Sequence, residues 1–134
     1  MSERLLEEIM LPNGLILELW DQSVPTAGDR WLVSLLARVQ VPVLPEYFST
    51  LDRSAQAHHE LVTAYGDPLV FTQVKLRHFV DEKATRDVLA ELCQRFKDNL
   101  ISYLGGPKFA SLYVLKKYGD LKDRRDYSAK AAEK

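Results

Sequence analysis

The sequence has very little cysteine and no long apolar run, and both absences exclude classes of protein. Cys93 is the only cysteine among 134 residues, so no disulfide can form within the chain, which is typical of a reducing compartment. The first eight residues are rich in glutamate and lack the basic start and apolar core of a signal peptide. Arg38 and Gln40 interrupt the longest apolar stretch well before it reaches the length of a membrane span. We therefore predict a cytoplasmic protein that does not associate with membranes.

The sequence also lacks the motifs that carry common chemistry. It contains no phosphate-binding loop, no Gly-x-Gly-x-x-Gly and no Gly-x-Ser-x-Gly, the spacings that cradle phosphates or expose a nucleophilic serine. Cys93 is predicted mid-helix without a histidine nearby in sequence, which favours a buried, inert thiol. His58 and His59 are adjacent, so on a helix they point about 100° apart and cannot face one metal ion. We predict no metal and no cofactor, and we favour a protein without catalytic activity.

Charge is unevenly distributed along a chain whose net charge is only −1. Residues 1–104 hold 10 basic and 15 acidic side chains, whereas residues 105–134 hold 8 basic and 4 acidic ones. Such asymmetry is compatible with an anionic partner for the basic end, or with attraction between the two parts of one protein or of two subunits. Aspartates interrupt the basic cluster at 116–125, which favours a solvated helix face over a track for nucleic acid.

Alternation and turn residues predict an antiparallel sheet built mostly from the N-terminal half. Pro12-Asn13-Gly14 predicts the turn of a hairpin over residues 8–22. Residues 23–30 predict a loop, and residues 31–41 the clearest strand, with apolar residues at every odd position. The even face of that strand begins apolar and ends polar, so we expect only one end of it to be covered. A last strand is predicted over 69–79, with an inward face formed by Val70, Thr72, Val74 and Leu76.

Three-and-four spacing of apolar residues predicts three helices. The first covers residues 45–65 and follows the third strand. The second covers residues 82–104, begins at an Asp81 N-cap and ends at Gly105-Gly106. The third covers residues 108–125, and residues 126–134 then form a flexible tail. The expected fold is α+β: an antiparallel sheet of about four strands, a helix after strand three and a C-terminal helical pair, in a single domain over residues 1–125.

Three segments resemble those of a small bacterial protein family. They are Leu-Pro-Asn-Gly-Leu at 11–15, Ala-Gly-Asp-Arg-Trp-Leu-Val at 27–33 and Leu-Ala-Glu-Leu-Cys-Gln-Arg-Phe at 89–96. No activity is established for that family. The resemblance therefore implies a bacterial source and supplies no site residues.

A second, partial resemblance concerns the PilZ domain. Asp21-Gln22-Ser23, followed by Gly28, resembles the second half of its signature, an Asp-x-Ser motif and a glycine on a β-barrel strand. PilZ domains bind a cyclic dinucleotide through paired arginines that precede this motif. Here Arg4 is the only arginine before Asp21, and the glycine lies too far from the serine, which removes most of the phosphate-binding chemistry. What remains is a degenerate small-ligand or nucleotide site at Trp20, Asp21, Ser23, Arg30 and Trp31.

Two hypotheses from different classes follow. The first is a non-catalytic interaction or regulatory protein that self-associates, because the strand at 31–41 carries apolar residues on both faces and only the basic terminal helix remains to cover the second one. The alternative is a small-ligand or nucleotide-binding module that uses the five degenerate-site residues. An enzyme of unknown reaction ranks third. The expected partners are a second copy of the chain or another protein, and nucleic acid is not expected.

Overall fold

A computed structural model describes residues 3–132, and the side chains of residues 3–125. It confirms the α+β class, with an antiparallel sheet and a C-terminal pair of helices. The two single turns of 3₁₀ helix are Pro45–Phe48 and Glu82–Ala84. The strands are β1 (Arg4–Met10), β2 (Ile16–Asp21), β3 (Val24–Ala27), β4 (Arg30–Val41) and β5 (Leu69–Asp81), and the helices are α1 (Ser54–Tyr65), α2 (Thr85–Leu104) and α3 (Phe109–Ala132).

The chain divides into two compact units. The first comprises residues 1–40 and 70–107 and contains most of the sheet together with α2. The second comprises residues 41–69 and 108–134 and contains α1 and α3. The expectation of a single domain over residues 1–125 stays a prediction. Within the described residues, no helix combines the length and the apolar composition needed to cross a membrane.

The sheet has five strands that occupy four positions. β1 pairs with β2, and β2 with β4, both antiparallel. β3 continues the β2 ladder without a change of register, because Asp21 lies opposite Leu35 and Val24 opposite Leu32. β2 and β3 therefore share one edge of β4, and β5 pairs with the other edge. The short strand β3 forms inside the segment predicted as a loop, which is a correction to the prediction.

The predicted hairpin turn is present and is fixed to the end of α2. Gly14 adopts a φ of 87°, the left-handed region that a glycine enters at little cost. The Asn13 side chain accepts a hydrogen bond from the backbone N–H of Leu15, and its amide donates to the carbonyls of Leu104 (2.8 Å) and Gly106 (3.0 Å). One asparagine thus satisfies carbonyl groups that the end of a helix leaves without intrahelical partners.

The core of the first unit lies between α2 and the odd face of β4. Val33, Leu35, Ala37 and Val39 have no exposed surface. α2 forms clefts with β1 on one side and with β5 on the other, so it lies across this face. Its buried side chains follow the three-and-four spacing that predicted this helix: Leu89, Leu92, Phe96 and Leu104. Burying such a side chain contributes about 1.5–3 kcal/mol each.

The prediction of which face of β5 is buried is wrong. Gln73, Lys75 and Arg77, expected to face outward, line a groove with α2. Val74 and Leu76, expected to be buried, alternate with them and are 47% and 43% exposed. Alternation identified which residues share a face, but β5 lies at the edge of the sheet, where the helix turns its polar flank toward the strand.

The second unit is organised around Phe48. Its ring has no exposed surface and makes edge-to-face contacts with His58 and Tyr118, at centroid separations of 5.7 and 5.9 Å. His58 Nε2 lies 3.0 Å from the carbonyl oxygen of Val43. The helix predicted over 45–65 is interrupted, because Arg53 adopts a left-handed φ of 58°. α1 begins after it and buries Ala57 and Leu61. The three-and-four spacing places Phe48, Leu51, Ala55, His58, Val62 and Tyr65 on one apolar face, but Ala55 and Tyr65 are exposed.

α3 begins near the predicted position but extends beyond the predicted end at residue 125, to Ala132. Its buried side chains among the described residues are Phe109, Ala110, Val114 and Leu121. Leu112 follows Phe109 at a helical spacing, which predicts a shared apolar face, but it is exposed. The side chains of 126–134 lie outside the described residues, and the expectation that this segment is a flexible tail stays a prediction.

Candidate functional site

The five residues of the degenerate PilZ-like site do not converge. Trp20 lies opposite Leu36 on the even face of β4, whereas Trp31 belongs to the odd face, where it lies opposite Pro25. Because successive side chains of a strand point to opposite faces, the two indoles lie on opposite sides of the sheet. They cannot enclose one ligand between them.

Asp21 and Ser23 are used to join β2 to β3. Asp21 accepts a hydrogen bond from the backbone N–H of Ser23 at 2.9 Å and forms an ion pair with Arg4 at 3.4 Å. Ser23 Oγ accepts the backbone N–H of Ser34 at 3.0 Å, which replaces a hydrogen bond of the ladder. These contacts give the Asp-x-Ser motif a structural role in a strand junction.

Arg30 is the first residue of β4. Its guanidinium lies 3.7 Å from the carboxylate of Asp29 and 3.6 Å from that of Asp81. Nearby, the backbone N–H of Glu82 donates to the carbonyl of Asp29 at 2.8 Å. These contacts hold the end of β5 beside the start of β4. The prediction that Arg30 binds a ligand stays a prediction.

The sheet face opposite α2, called the outer face below, carries large exposed apolar side chains. Cross-strand register places Met10 beside Ile16 and Leu5 beside Trp20, which in turn lies beside Leu36. β5 adds Val74 and Leu76 to the same face, because their neighbours Gln73, Lys75 and Arg77 face α2. The exposed fractions are 78% for Met10, 46% for Ile16 and 41% for Leu5.

A row of charged residues crosses the outer face between these apolar rows. Glu8 lies opposite Glu18, and Glu18 lies opposite Arg38. Glu18 accepts the indole N–H of Trp20 at 3.2 Å, and the Arg38 guanidinium lies 5.4 Å from the centre of the Trp20 ring. Arg38 also approaches Glu3 at 3.7 Å. The row therefore has a negative end on β1 and a positive end on β4.

The groove between β5 and α2, called the basic groove below, has a volume of about 310 Å³. Its base is formed by Leu92, Phe96 and Leu100, and its polar side chains are Gln73, Lys75, Arg77, Arg95 and Asn99. None of these lining residues is acidic. Sequence reasoning missed the basic groove, since its two walls are far apart in sequence and only tertiary packing brings them together.

Cys93 lies in a different cleft, between β1 and the opposite flank of α2, with Leu6 and Glu7 among its neighbours. It is half-buried rather than fully buried as predicted. Burial raises the pKa of its thiol above the ordinary value of 9.0, and the nearby Lys97 lowers it by less. Lys97 is engaged by Glu7 at 2.7 Å. The raised pKa disfavours the reactive thiolate, in keeping with the predicted inert role.

Glu60 is the centre of the polar contacts between α1 and α3. Its carboxylate accepts hydrogen bonds from Arg125 at 3.0 Å, from the Gln56 amide at 3.0 Å and from the Tyr118 hydroxyl at 3.4 Å. Lys122 lies over the Tyr118 ring at 5.8 Å. Because two of its three hydrogen-bond donors, Tyr118 and Arg125, lie on α3, this carboxylate connects the two helices.

No group of three or more His, Cys, Asp or Glu side chains among the described residues could hold a metal ion. Comparison with protein-family models, curated proteins and solved structures finds no significant match to this chain. The resemblance to a small bacterial family and the degenerate PilZ likeness therefore stay expectations from the sequence.

Proposed function

We propose that the protein is a non-catalytic interaction module that self-associates through the outer face of its sheet. The observation that carries this proposal is the set of large apolar side chains exposed together there, with Val74 and Leu76 on β5 and Leu5, Met10 and Ile16 on the hairpin. Exposed apolar side chains gathered on one face are typical of interaction surfaces.

The charges of the outer face favour a second copy of the same chain as the partner. Glu8 and Arg38 stand at opposite ends of one row. A rotation of 180° about an axis parallel to the strands reverses the order of the strands. An axis through the middle of the four strand positions therefore brings β5 of each copy over β1 of the other and β4 over β2, which places Arg38 over Glu18, with Glu8 on the next strand. Sheets pack about 10 Å apart, a gap that the long side chains of Arg38 and Glu18 can span, and such two-fold pairing is the commonest symmetry of oligomers.

The size of the outer face favours a dimer in exchange with monomer. Four strand positions about 4.8 Å apart give a width of about 19 Å, and the seven residues of β1 give a length of about 24 Å. The resulting area of roughly 450 Å² is below the ~800 Å² that each partner buries in a standard interface. We therefore expect association in the micromolar range.

Sedimentation equilibrium of the wild type and of two matched variants tests the proposal. Leu76→Lys places a charge on the outer face, whereas Leu112→Lys places the same charge at an exposed leucine of α3. We expect a mass between monomer and dimer for the wild type and for Leu112→Lys, and a monomer mass for Leu76→Lys. A monomer mass for all three proteins, or an equal loss in both variants, would refute the proposal. Leu36 is unsuitable as a target because it is only 6% exposed.

The alternative from the sequence, ligand binding at the five degenerate-site residues, receives less support. Two of them join β2 to β3, and the two tryptophans lie on opposite sides of the sheet. No specific observation favours an enzyme.

A further inference from the structure

The basic groove is a second feature of the first unit, on the side of the sheet opposite the outer face. Lys75 and Arg77 approach it from β5, and Arg95 approaches it from α2. These are three of the 10 basic residues in a stretch, 1–104, that also holds 15 acidic ones. In a stretch with an excess of acid, the lining of this groove holds three cations and no carboxylate.

The nearest carboxylates balance this charge only in part. Glu91 pairs with Arg95 at 2.9 Å, one turn earlier on α2. Asp98 accepts a hydrogen bond from Gln94, at 2.9 Å. The Arg77 guanidinium donates a hydrogen bond to the neighbouring backbone carbonyl of Leu76, at 3.2 Å, which does not neutralise its charge. Among the described residues, an anion in the groove would thus meet Lys75 and Arg77 without a carboxylate partner, and Arg95 paired with Glu91.

Protection of a sheet edge explains part of this arrangement. Lysine and arginine on edge strands discourage unwanted pairing with other chains, and β5 is such a strand. That role needs neither Arg95, which comes from the helix, nor an apolar base beneath the charges. The base formed by Leu92, Phe96 and Leu100, with the amides of Gln73 and Asn99 beside it, is typical of a ligand site.

We propose that the basic groove binds a small organic anion in which a phosphate or carboxylate group is attached to an apolar body. The arginines match either anion with two parallel hydrogen bonds, and Lys75 adds a point charge. The apolar body lies over Leu100, the most exposed of the three apolar side chains at the base, and the two amides orient its polar substituents. A groove of about 310 Å³ is at the small end of the range for ligand sites, which favours a ligand of one or two rings.

Four probes separate charge from apolar contact and phosphate from carboxylate: 2-naphthyl phosphate, 2-naphthoate, neutral 2-naphthol and inorganic phosphate. Binding is followed by amide chemical shifts, because the side-chain amides of Gln73 and Asn99 report on this groove alone. We expect at least one naphthyl anion to bind about tenfold or more tightly than naphthol and than inorganic phosphate, and to weaken as salt is raised. The better of the two anions identifies the charged group of the ligand.

Variants locate the binding. Arg77→Gln and Arg95→Gln should each weaken the better probe about tenfold, whereas Arg86→Gln, an exposed arginine on the opposite flank of α2, should leave it unchanged. Thermal melting confirms that each variant is folded. Binding of naphthol as tight as that of both anions, equal losses in all three variants, or shifts confined to the outer face would overturn the proposal. So would the absence of any shift at Gln73 and Asn99 with millimolar probe.

Discussion

Replacing Gly105 by alanine should destabilise the protein, and the reason is a close approach rather than a special backbone angle. Gly105 has a φ of −89°, which any residue can adopt. A Cβ atom at this position would lie 2.6 Å from Cδ of Pro12 and 3.0 Å from the carbonyl oxygen of Ile101. Carbon atoms in contact are normally about 3.5–4.0 Å apart, so the hairpin turn must move by about 1 Å.

The magnitude follows from what that movement disturbs. Overpacking by one methyl group costs about 1–3 kcal/mol. The shift also strains the hydrogen bonds from Asn13 to Leu104 and Gly106, each of which contributes about 1 kcal/mol. We expect Gly105→Ala to lower the free energy of unfolding by about 2–3 kcal/mol. For a chain of this length that corresponds to a fall in Tm of roughly 8–12 °C.

Thermal and urea denaturation followed by circular dichroism provide the assay, and the chain offers its own controls. At Gly119 nothing lies within 4 Å of an added Cβ, so Gly119→Ala in the middle of α3 should raise stability by about 0.5–1 kcal/mol. Pro12→Ala removes the ring atom that causes the clash, so the double variant should recover part of the loss. A Gly105→Ala protein as stable as the wild type, or no recovery in the double variant, would refute this account.

Two further predictions concern the thiol and the polar contacts of α1 and α3. Because burial raises the pKa of Cys93 above 9.0, a thiol reagent should label the native protein at pH 8 more slowly than the urea-unfolded chain; equal rates would contradict this. Since the unfolded thiol ionises first, its contribution to stability is complete below pH 9 and should decline as the pH rises through the higher folded pKa. Glu60→Gln weakens the charge-assisted contacts to Arg125 and Tyr118. It should lower the free energy of unfolding, measured by urea denaturation, by about 1 kcal/mol in low salt and by less in high salt. A variant as stable as the wild type in low salt would show that the carboxylate charge contributes nothing.

Features set by neighbouring residues could be predicted from the sequence. The Asn13-Gly14 turn, the apolar odd face of β4 and the end of α2 at Gly105 all follow from turn chemistry or from periodicity within a single segment. The partial cover of the even face of β4 was also predictable, and Leu36 is buried while Gln40 is exposed.

Features set by packing between segments could not be predicted in the same way. The alternation of β5 indicated two faces, yet the sequence does not say which face meets α2, and the apolar one proved to be exposed. The left-handed Arg53 that interrupts the first predicted helix is not signalled by a glycine or an asparagine. The basic groove combines residues 73–77 with residues 92–100, so no local pattern indicates it. For the outer face, the sequence identified the apolar residues of β4 but not those that β1 and β5 add.

The two tryptophans allow the central claim to be tested in one spectrum. Trp20 lies on the outer face and Trp31 on the opposite side of the sheet, so their indole N–H signals report on the two faces separately. We predict that increasing the protein from about 10 μM to 1 mM shifts the Trp20 indole signal and the amide signals of Val74 and Leu76, while the Trp31 indole signal stays fixed. Identical spectra over that range, or shifts at Trp31 without shifts at Trp20, would contradict self-association through the outer face.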